Sequence, residues 1–298
     1  MRKRLTRLLR IAVVVAGIVF MGLALVGAAR NPDLTVLPSP TASVSALLVI
    51  VTGLWGGALA WARLLDRPLR RDLARGFFMA QFGKYVPGGI WQAVGQISDA
   101  TARAQVDGRT ATAAFVAQAL VTVSAGLTVA AGIALVPTAP LWARTAAPIA
   151  AGASILMLAK PAWFTAIAGR IGPVHRRLEG VSLPDGGQLL RAWAWTLPSI
   201  TAGGVVFVIA LAATSSEVVP SALPVFAAAW TIGFLALPFP AGLGVREGAL
   251  ILLLPGQDPV GLVAAGAILR LAYIVGEAVA VSSTWRPTSG AADAAGVG

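Results

Sequence analysis

The hydrophobic positions of this chain fall into long runs that are separated by short polar connections. Six of these runs have about 18 residues or more, the length that an α-helix needs to cross roughly 30 Å of hydrocarbon. The pattern therefore predicts an all-α polytopic membrane protein. The six predicted spans are 11–29, 44–61, 111–136, 141–159, 189–213 and 260–283.

Two further apolar segments, 73–98 and 221–254, are each interrupted by a turn rich in proline and glycine. The first contains FGKYVPGGIWQ and the second contains LPFPAGLGVREG, and both include a Pro-x-Gly-aliphatic turn. Paired interruptions in the two halves of a membrane protein indicate a binding site near the bilayer midplane. We interpret both segments as re-entrant helical hairpins, and a protein with eight full spans is the alternative.

The distribution of Lys and Arg predicts the topology. With six spans, two hairpins and both termini in the cytoplasm, eighteen basic residues lie inside, two outside and three within the membrane, which satisfies the positive-inside rule. Three spans separate the hairpins, so they enter from opposite sides and form an inverted repeat. We predict a multi-pass protein of the cell inner membrane, with one transmembrane domain over 1–286 and a disordered tail over 287–298.

Composition narrows the function classes. Hydrophobic residues make up 57% of the chain and charged residues 12%. The net charge of +11 is explained by the basic cytoplasmic connections, so we expect no nucleic-acid partner. The absence of cysteine excludes disulfides and thiolate metal sites, and the single histidine, His175, lies in a polar connection. We expect no cofactor and no metal.

The two interruptions combine helix-starting residues with basic side chains. Proline is favoured in the first turn of a helix, so Pro87 and Pro240 are predicted to begin the second half of each hairpin. Free N–H groups at such helix starts, together with Lys84 and Arg246, are typical of a site for an anion such as a phosphate. The alternative is that proline and glycine only break the helices and that Lys84 snorkels to an interface.

The last predicted span carries two charged residues on one face. Arg270 and Glu277 are two helical turns apart, with Tyr273 between them, and this spacing is too wide for an adjacent ion pair. We expect Arg270 to meet Glu247 of the second hairpin, and Glu277 to cap the helix or snorkel. A structural salt bridge and a role in substrate passage both remain open for this group.

The motifs GKYVPGGIWQ and PFPAGLGVREG resemble the signature regions of the flippase-like transmembrane domain of lysylphosphatidylglycerol synthase/flippase proteins. The resemblance covers essentially the whole membrane region and implies a lipid-translocating domain. The sequence ends soon after the last span, without the soluble aminoacyl-transfer domain of the bifunctional members, so we do not expect aminoacylation of lipid. The central site implied by the resemblance consists of Lys84, Pro87, Gly88, Gly89, Arg246 and Glu247, with Arg270 as a further member.

We therefore predict a protein, not an enzyme, that moves a membrane lipid with a phosphate headgroup, either a phospholipid or a polyprenyl-linked lipid, between leaflets. One alternative is a membrane-embedded transferase acting on a lipid-linked phosphate or sugar, for which Glu247 and Glu277 are the candidate acid–base groups in the membrane. The other is a non-catalytic membrane protein whose basic loops bind a protein partner. The predicted substrate-binding residues are Lys84, Pro87, Gly88, Gly89, Trp91, Gln92, Pro240, Gly242, Gly244, Arg246, Glu247, Arg270 and Glu277.

Overall fold

The computed structural model describes residues 38–85, 91–163, 184–214, 221–236 and 242–285. Over these ranges the protein is helical and has no strand, which confirms the all-α prediction. The first predicted span, the C-terminal tail and His175 lie outside the described residues. The helices are α1 (Pro40–Leu64), α2 (Arg71–Gln81), α3 (Trp91–Arg103), α4 (Gly108–Ala130), α5 (Leu141–Ala159), α6 (Gly186–Thr214), α7 (Ala222–Leu235), α8 (Val245–Leu253) and α9 (Pro259–Ser283), and short 3-10 helices cover Phe82–Tyr85 and Ala131–Leu135.

Within the described ranges, five helices are long and apolar enough to cross a membrane. They are α1, α4 with its 3-10 extension, α5, α6 and α9, and each coincides with a predicted span to within a few residues. Side-chain caps fix the starts of several of them, since Ser39, Asp107 and Asp258 accept hydrogen bonds from backbone N–H groups of the first turn. These five helices confirm a multi-pass membrane protein.

The pair formed by α1 and α6 packs through residues without side chains. A Cβ atom at Gly53 would lie 2.7 Å from Cβ of Ala202, and one at Gly56 would lie 2.6 Å from the carbonyl oxygen of Trp195. A larger residue at either position would push the helices apart. Small residues at such contacts are typical of membrane helix pairs, because they allow the two backbones to approach closely.

We call α2, the Phe82–Tyr85 turn and α3 the first hairpin. Its helices have 11 and 13 residues, about 17 and 20 Å in length, and each is shorter than the roughly 30 Å of hydrocarbon in a bilayer. Gly76 lies against Asp99, and Gly83 lies against Gln92 near the turn, so the two helices run antiparallel.

We call α7 and α8 the second hairpin. These helices have 14 and 9 residues, about 21 and 14 Å, and each is also shorter than the hydrocarbon thickness. A Cβ atom at Gly233 of α7 would lie 3.3 Å from Cβ of Arg246 in α8 and 3.6 Å from Cα of Gly242. The two halves therefore touch beside the turn that joins them.

The start of α8 differs from the prediction. Gly242 and Gly244 have φ angles of +66° and +80°, and the helix begins only after them, at Val245. Glycine adopts positive φ without a Cβ clash, so these residues complete the turn before the helix starts. The prediction that Pro240 begins this half of the hairpin is therefore wrong.

The two hairpins open at opposite ends of α9. Arg75, near the start of α2, places its guanidinium 4.2 Å from the ring centroid of Trp285, which follows the end of α9. The second hairpin ends at Leu253, and a short connection leads from there to the start of α9 at Pro259. Because α9 has 25 residues, its length of about 37 Å separates the two open ends. Between these ends, Lys84 of the first hairpin contacts Glu277 of α9, and Glu247 of the second hairpin contacts Arg270 of α9.

Candidate functional site

A cavity of about 340 Å³ lies where the two hairpins meet α1, α4, α6 and α9. Lys84 and Tyr85 of the first hairpin border it, as do Gly242 and Arg246 of the second. The volume is in the range of sites for small molecules. The two interrupted segments, which the sequence placed at one site, therefore do contribute to a common cavity.

Arg270 of α9 and Glu247 of α8 form a buried ion pair beside this cavity. Nη2 of Arg270 donates to Oε1 of Glu247 at 2.7 Å, and the two side chains are 9% and 4% exposed. The expected contact between these residues is confirmed. Oε2 of Glu247 also accepts a hydrogen bond from the backbone N–H of Gly244 at 2.8 Å, so the protein itself satisfies this donor before the start of α8.

Lys84 forms a second ion pair with Glu277 of α9. Nζ of Lys84 donates to Oε1 of Glu277, whose side chain has no exposed surface. The ring centroids of Tyr85 and Tyr273 lie 5.1 and 5.4 Å from Nζ, close enough for cation–π attraction. The expectation that Glu277 caps its helix or snorkels is wrong. A carboxylate this deeply buried requires a countercharge, and the first hairpin supplies it.

Arg246 is the third cation of the site and differs from the other two. Among the described residues no carboxylate lies within salt-bridge distance of it, because the adjacent Glu247 is directed to Arg270. Arg246 is 8% exposed, its Nε has no hydrogen-bond partner within the described ranges, and its guanidinium carbon lies 5.8 Å from the ring centroid of Phe226. Three cations and two carboxylates give this group a net charge of +1. We call Lys84, Arg246, Glu247, Arg270 and Glu277 the charged cluster.

The other predicted site residues divide into three sets. Gln92 and Gly242 line the cavity, whereas Gly244 supplies the capped N–H group described above. Trp91 is 50% exposed and does not belong to the described cavity wall. The remaining predicted residues, Pro87, Gly88, Gly89 and Pro240, lie outside the described residues.

Sequence reasoning missed most of a neutral polar set on the cavity wall. Gln92 Nε2 donates to Gln81 Oε1 at 3.2 Å, and Gln96 Nε2 donates to Gln118 Oε1. Gln92 and Gln96 are one helical turn apart in a segment that the sequence predicts to be membrane-embedded. This spacing of two amides is the sequence pattern from which the polar set could have been predicted. We call the lining members of this set the amide face: Gln81, Gln92 and Gln118, with the hydroxyls of Thr122, Thr196 and Ser199.

Aromatic rings complete the wall. Trp230 and Phe234 of α7 are stacked, with ring centroids 5.3 Å apart and an angle of 15° between the planes, and Phe115 of α4 also borders the cavity. The cavity thus combines a charged cluster, an amide face and an apolar aromatic surface. Across the described ranges, no group of three or more His, Asp or Glu residues is arranged to hold a metal ion.

Comparison of the chain with models of known protein families gave no match, and comparison with curated proteins gave no match either.

Proposed function

We propose that this protein moves a lipid with an anionic, phosphate-bearing headgroup between the two leaflets of the cell inner membrane. The headgroup occupies the central cavity while the acyl or prenyl chains stay in the bilayer. The two hairpins are re-entrant in this proposal, and they enter from opposite sides of the membrane. The resemblance of their turns to those of flippase-like domains is consistent with this function.

The observation that carries the proposal is Arg246 on the cavity wall, for which the described part of the chain provides no carboxylate partner. A buried cation without a countercharge is unfavourable, so it is expected where a ligand supplies the negative charge. The nearby carboxylates of Glu247 and Glu277 are already engaged by Arg270 and Lys84. A phosphate is the appropriate anion, because guanidinium binds phosphate oxygens through paired hydrogen bonds.

The test is transport in liposomes that contain the purified protein. A headgroup-labelled anionic phospholipid should change its leaflet distribution without changing its mass. Arg246→Ala should slow this transport about tenfold or more, since a charged hydrogen bond contributes roughly 1.5–3 kcal/mol. Arg246→Lys should be slowed less, because it keeps the charge but loses the paired geometry. Arg63→Ala, at an exposed position in the last turn of α1, is the matched control.

Three results would count against the proposal. Transport by Arg246→Ala at the rate of the control variant would mean that the unpaired cation does not bind substrate. A change in the mass of the lipid would indicate a transferase. Recovery of transport in the double variant Arg246→Ala with Glu247→Gln would make Arg246 a partner of Glu247 rather than of the lipid.

We also propose that both termini are cytoplasmic, which the distribution of basic residues supports. Gln105 and Thr138 are exposed residues at opposite ends of α4. In this chain without cysteine, a single cysteine at Thr138 should react with an impermeant thiol reagent in intact cells, and one at Gln105 should not. The reverse result would invert the proposed orientation.

A further inference from the structure

We infer that the cavity selects lipids whose phosphate is linked to a polyhydroxylated headgroup, a sugar or a polyol. The observation is the amide face, which stands beside the charged cluster in the same cavity. This inference rests on the proposed function, because it assigns the phosphate of the headgroup to Arg246.

The amide face has hydrogen-bonding capacity that the protein does not use. A glutamine amide carries two N–H donors and one oxygen that accepts. The bond from Gln92 to Gln81 uses one donor of Gln92 and the oxygen of Gln81, and Gln118 is bonded through its oxygen to Gln96. Among the described residues no partner is found for the N–H groups of Gln81 and Gln118 or for the oxygen of Gln92. Five N–H donors of these described residues are therefore unused at the cavity, two each on Gln81 and Gln118 and one on Gln92, together with the oxygen of Gln92 as an acceptor.

A hydroxyl group matches this surface because it donates and accepts at the same atom. A headgroup with several hydroxyls can use the donors of Gln81 and Gln118 and the acceptor of Gln92 together. A headgroup without hydroxyls leaves these polar groups unpaired in a water-poor site. The unpaired groups weaken its binding, as they do when a binding site rejects an analogue that lacks a hydroxyl. A headgroup carrying an ammonium group is disfavoured by the net positive charge of the charged cluster.

The experiment measures lipid binding by the full-length protein in nanodiscs with a zwitterionic lipid background. The two probes are phosphatidylinositol and phosphatidylmethanol, which share the charged phosphodiester and differ in that only the first has a polyol. Phosphatidylinositol should bind about tenfold more tightly, the effect expected for one or two net hydrogen bonds between neutral groups. Soluble inositol monophosphate is the third probe, and it should bind far more weakly than the lipid.

Variants of the amide face locate the effect. Gln92→Leu and Gln118→Leu should each reduce the preference for phosphatidylinositol severalfold, while the affinity for phosphatidylmethanol stays unchanged. The ratio of the two affinities is used because a general loss of folded protein lowers both alike. Gln188→Leu makes the same chemical change near the start of α6, where Gln188 bonds to Asp185, and it should leave the ratio unchanged.

Equal affinities for the two lipids in the unaltered protein would overturn the inference, as would a preference that survives in both glutamine variants. Binding of inositol monophosphate as tight as that of phosphatidylinositol would mean that the ligand is a soluble sugar or polyol phosphate and not a lipid. Selective lipid binding without transport in liposomes would refute the proposed function and leave the headgroup selectivity standing.

Discussion

The two hairpins border the same cavity but contribute different chemistry to it. The first contributes the amides of Gln81 and Gln92 and a lysine that is already paired. The second contributes an almost wholly apolar α7 and the arginine that has no carboxylate partner among the described residues. Lys84 precedes the turn of its motif and Arg246 follows the turn of the other, and of these two only Lys84 has a carboxylate partner among the described residues.

This difference shows what the similarity of the two sequence motifs does and does not predict. The motifs predict that both segments contribute to one site, and both do line the same cavity. The electrostatic environment is set by α9, which lies outside both motifs and presents Glu277 to one hairpin and Arg270 to the other. The basic residues of the two motifs therefore differ both in their position relative to the turn and in their partners.

The largest effect on stability is expected for loss of the carboxylate in the second hairpin. Glu247→Leu leaves Arg270 and Arg246 buried together without their nearest negative charge and removes the acceptor for the Gly244 N–H group. Breaking a buried pair from one side costs about 3–5 kcal/mol of the free energy of unfolding. Titration with a denaturing detergent measures the free energy of unfolding of this variant and of the unaltered protein.

The control is the double variant Glu247→Leu with Arg270→Met, which removes both charges of the pair. It should recover at least half of the lost free energy of unfolding, since replacing a buried pair by apolar residues is often nearly neutral. A double variant no more stable than the single one would show that the ion pair does not hold α8 to α9.

A smaller effect is expected for the pair of the first hairpin. Lys84→Met leaves Glu277 without its countercharge, but the Lys84 side chain is 26% exposed, so water replaces part of its contribution. We expect a loss of about 2 kcal/mol in the same detergent titration. Adding Glu277→Gln should restore most of it. A loss as large as that of Glu247→Leu would remove the distinction between the two pairs.

The smallest effects come from the glycines beside the turns. A Cβ atom at Gly83 would collide with the backbone nitrogen of Gln92, whereas one at Gly233 would lie 3.3 Å from Cβ of Arg246. Gly83→Ala should therefore lower the free energy of unfolding by about 1–2 kcal/mol, as overpacking does, and Gly233→Ala by about 0.5 kcal/mol. Thermal denaturation of the two variants in detergent gives the order, and the reverse order would contradict the tighter packing of the first hairpin.

Much of the fold follows from the sequence, because a helix that crosses a membrane needs a long apolar run and little else. The contact between Arg270 and Glu247 was also predictable, since a buried charge in one span requires a partner in another. The pairing of Lys84 with Glu277 could not be predicted from the sequence. The same holds for the grouping of Gln81, Gln92 and Gln118 on one wall of the cavity. They depend on how α9 and α4 are rotated toward the cavity, which the period of the apolar residues alone does not specify. The start of α8 was misjudged because Gly242 and Gly244 have positive φ angles and delay the helix until Val245.

The contact between α1 and α6 has a mechanical consequence. Gly53 and Gly56 bring the backbones together, so no layer of flexible side chains separates the two helices and allows one to slide along the other. The transport that we propose requires one body that stays still while another rocks against it. In that proposal the α1–α6 pair is the stationary body, and the short helices of the hairpins, which two ion pairs join to α9, belong to the moving one.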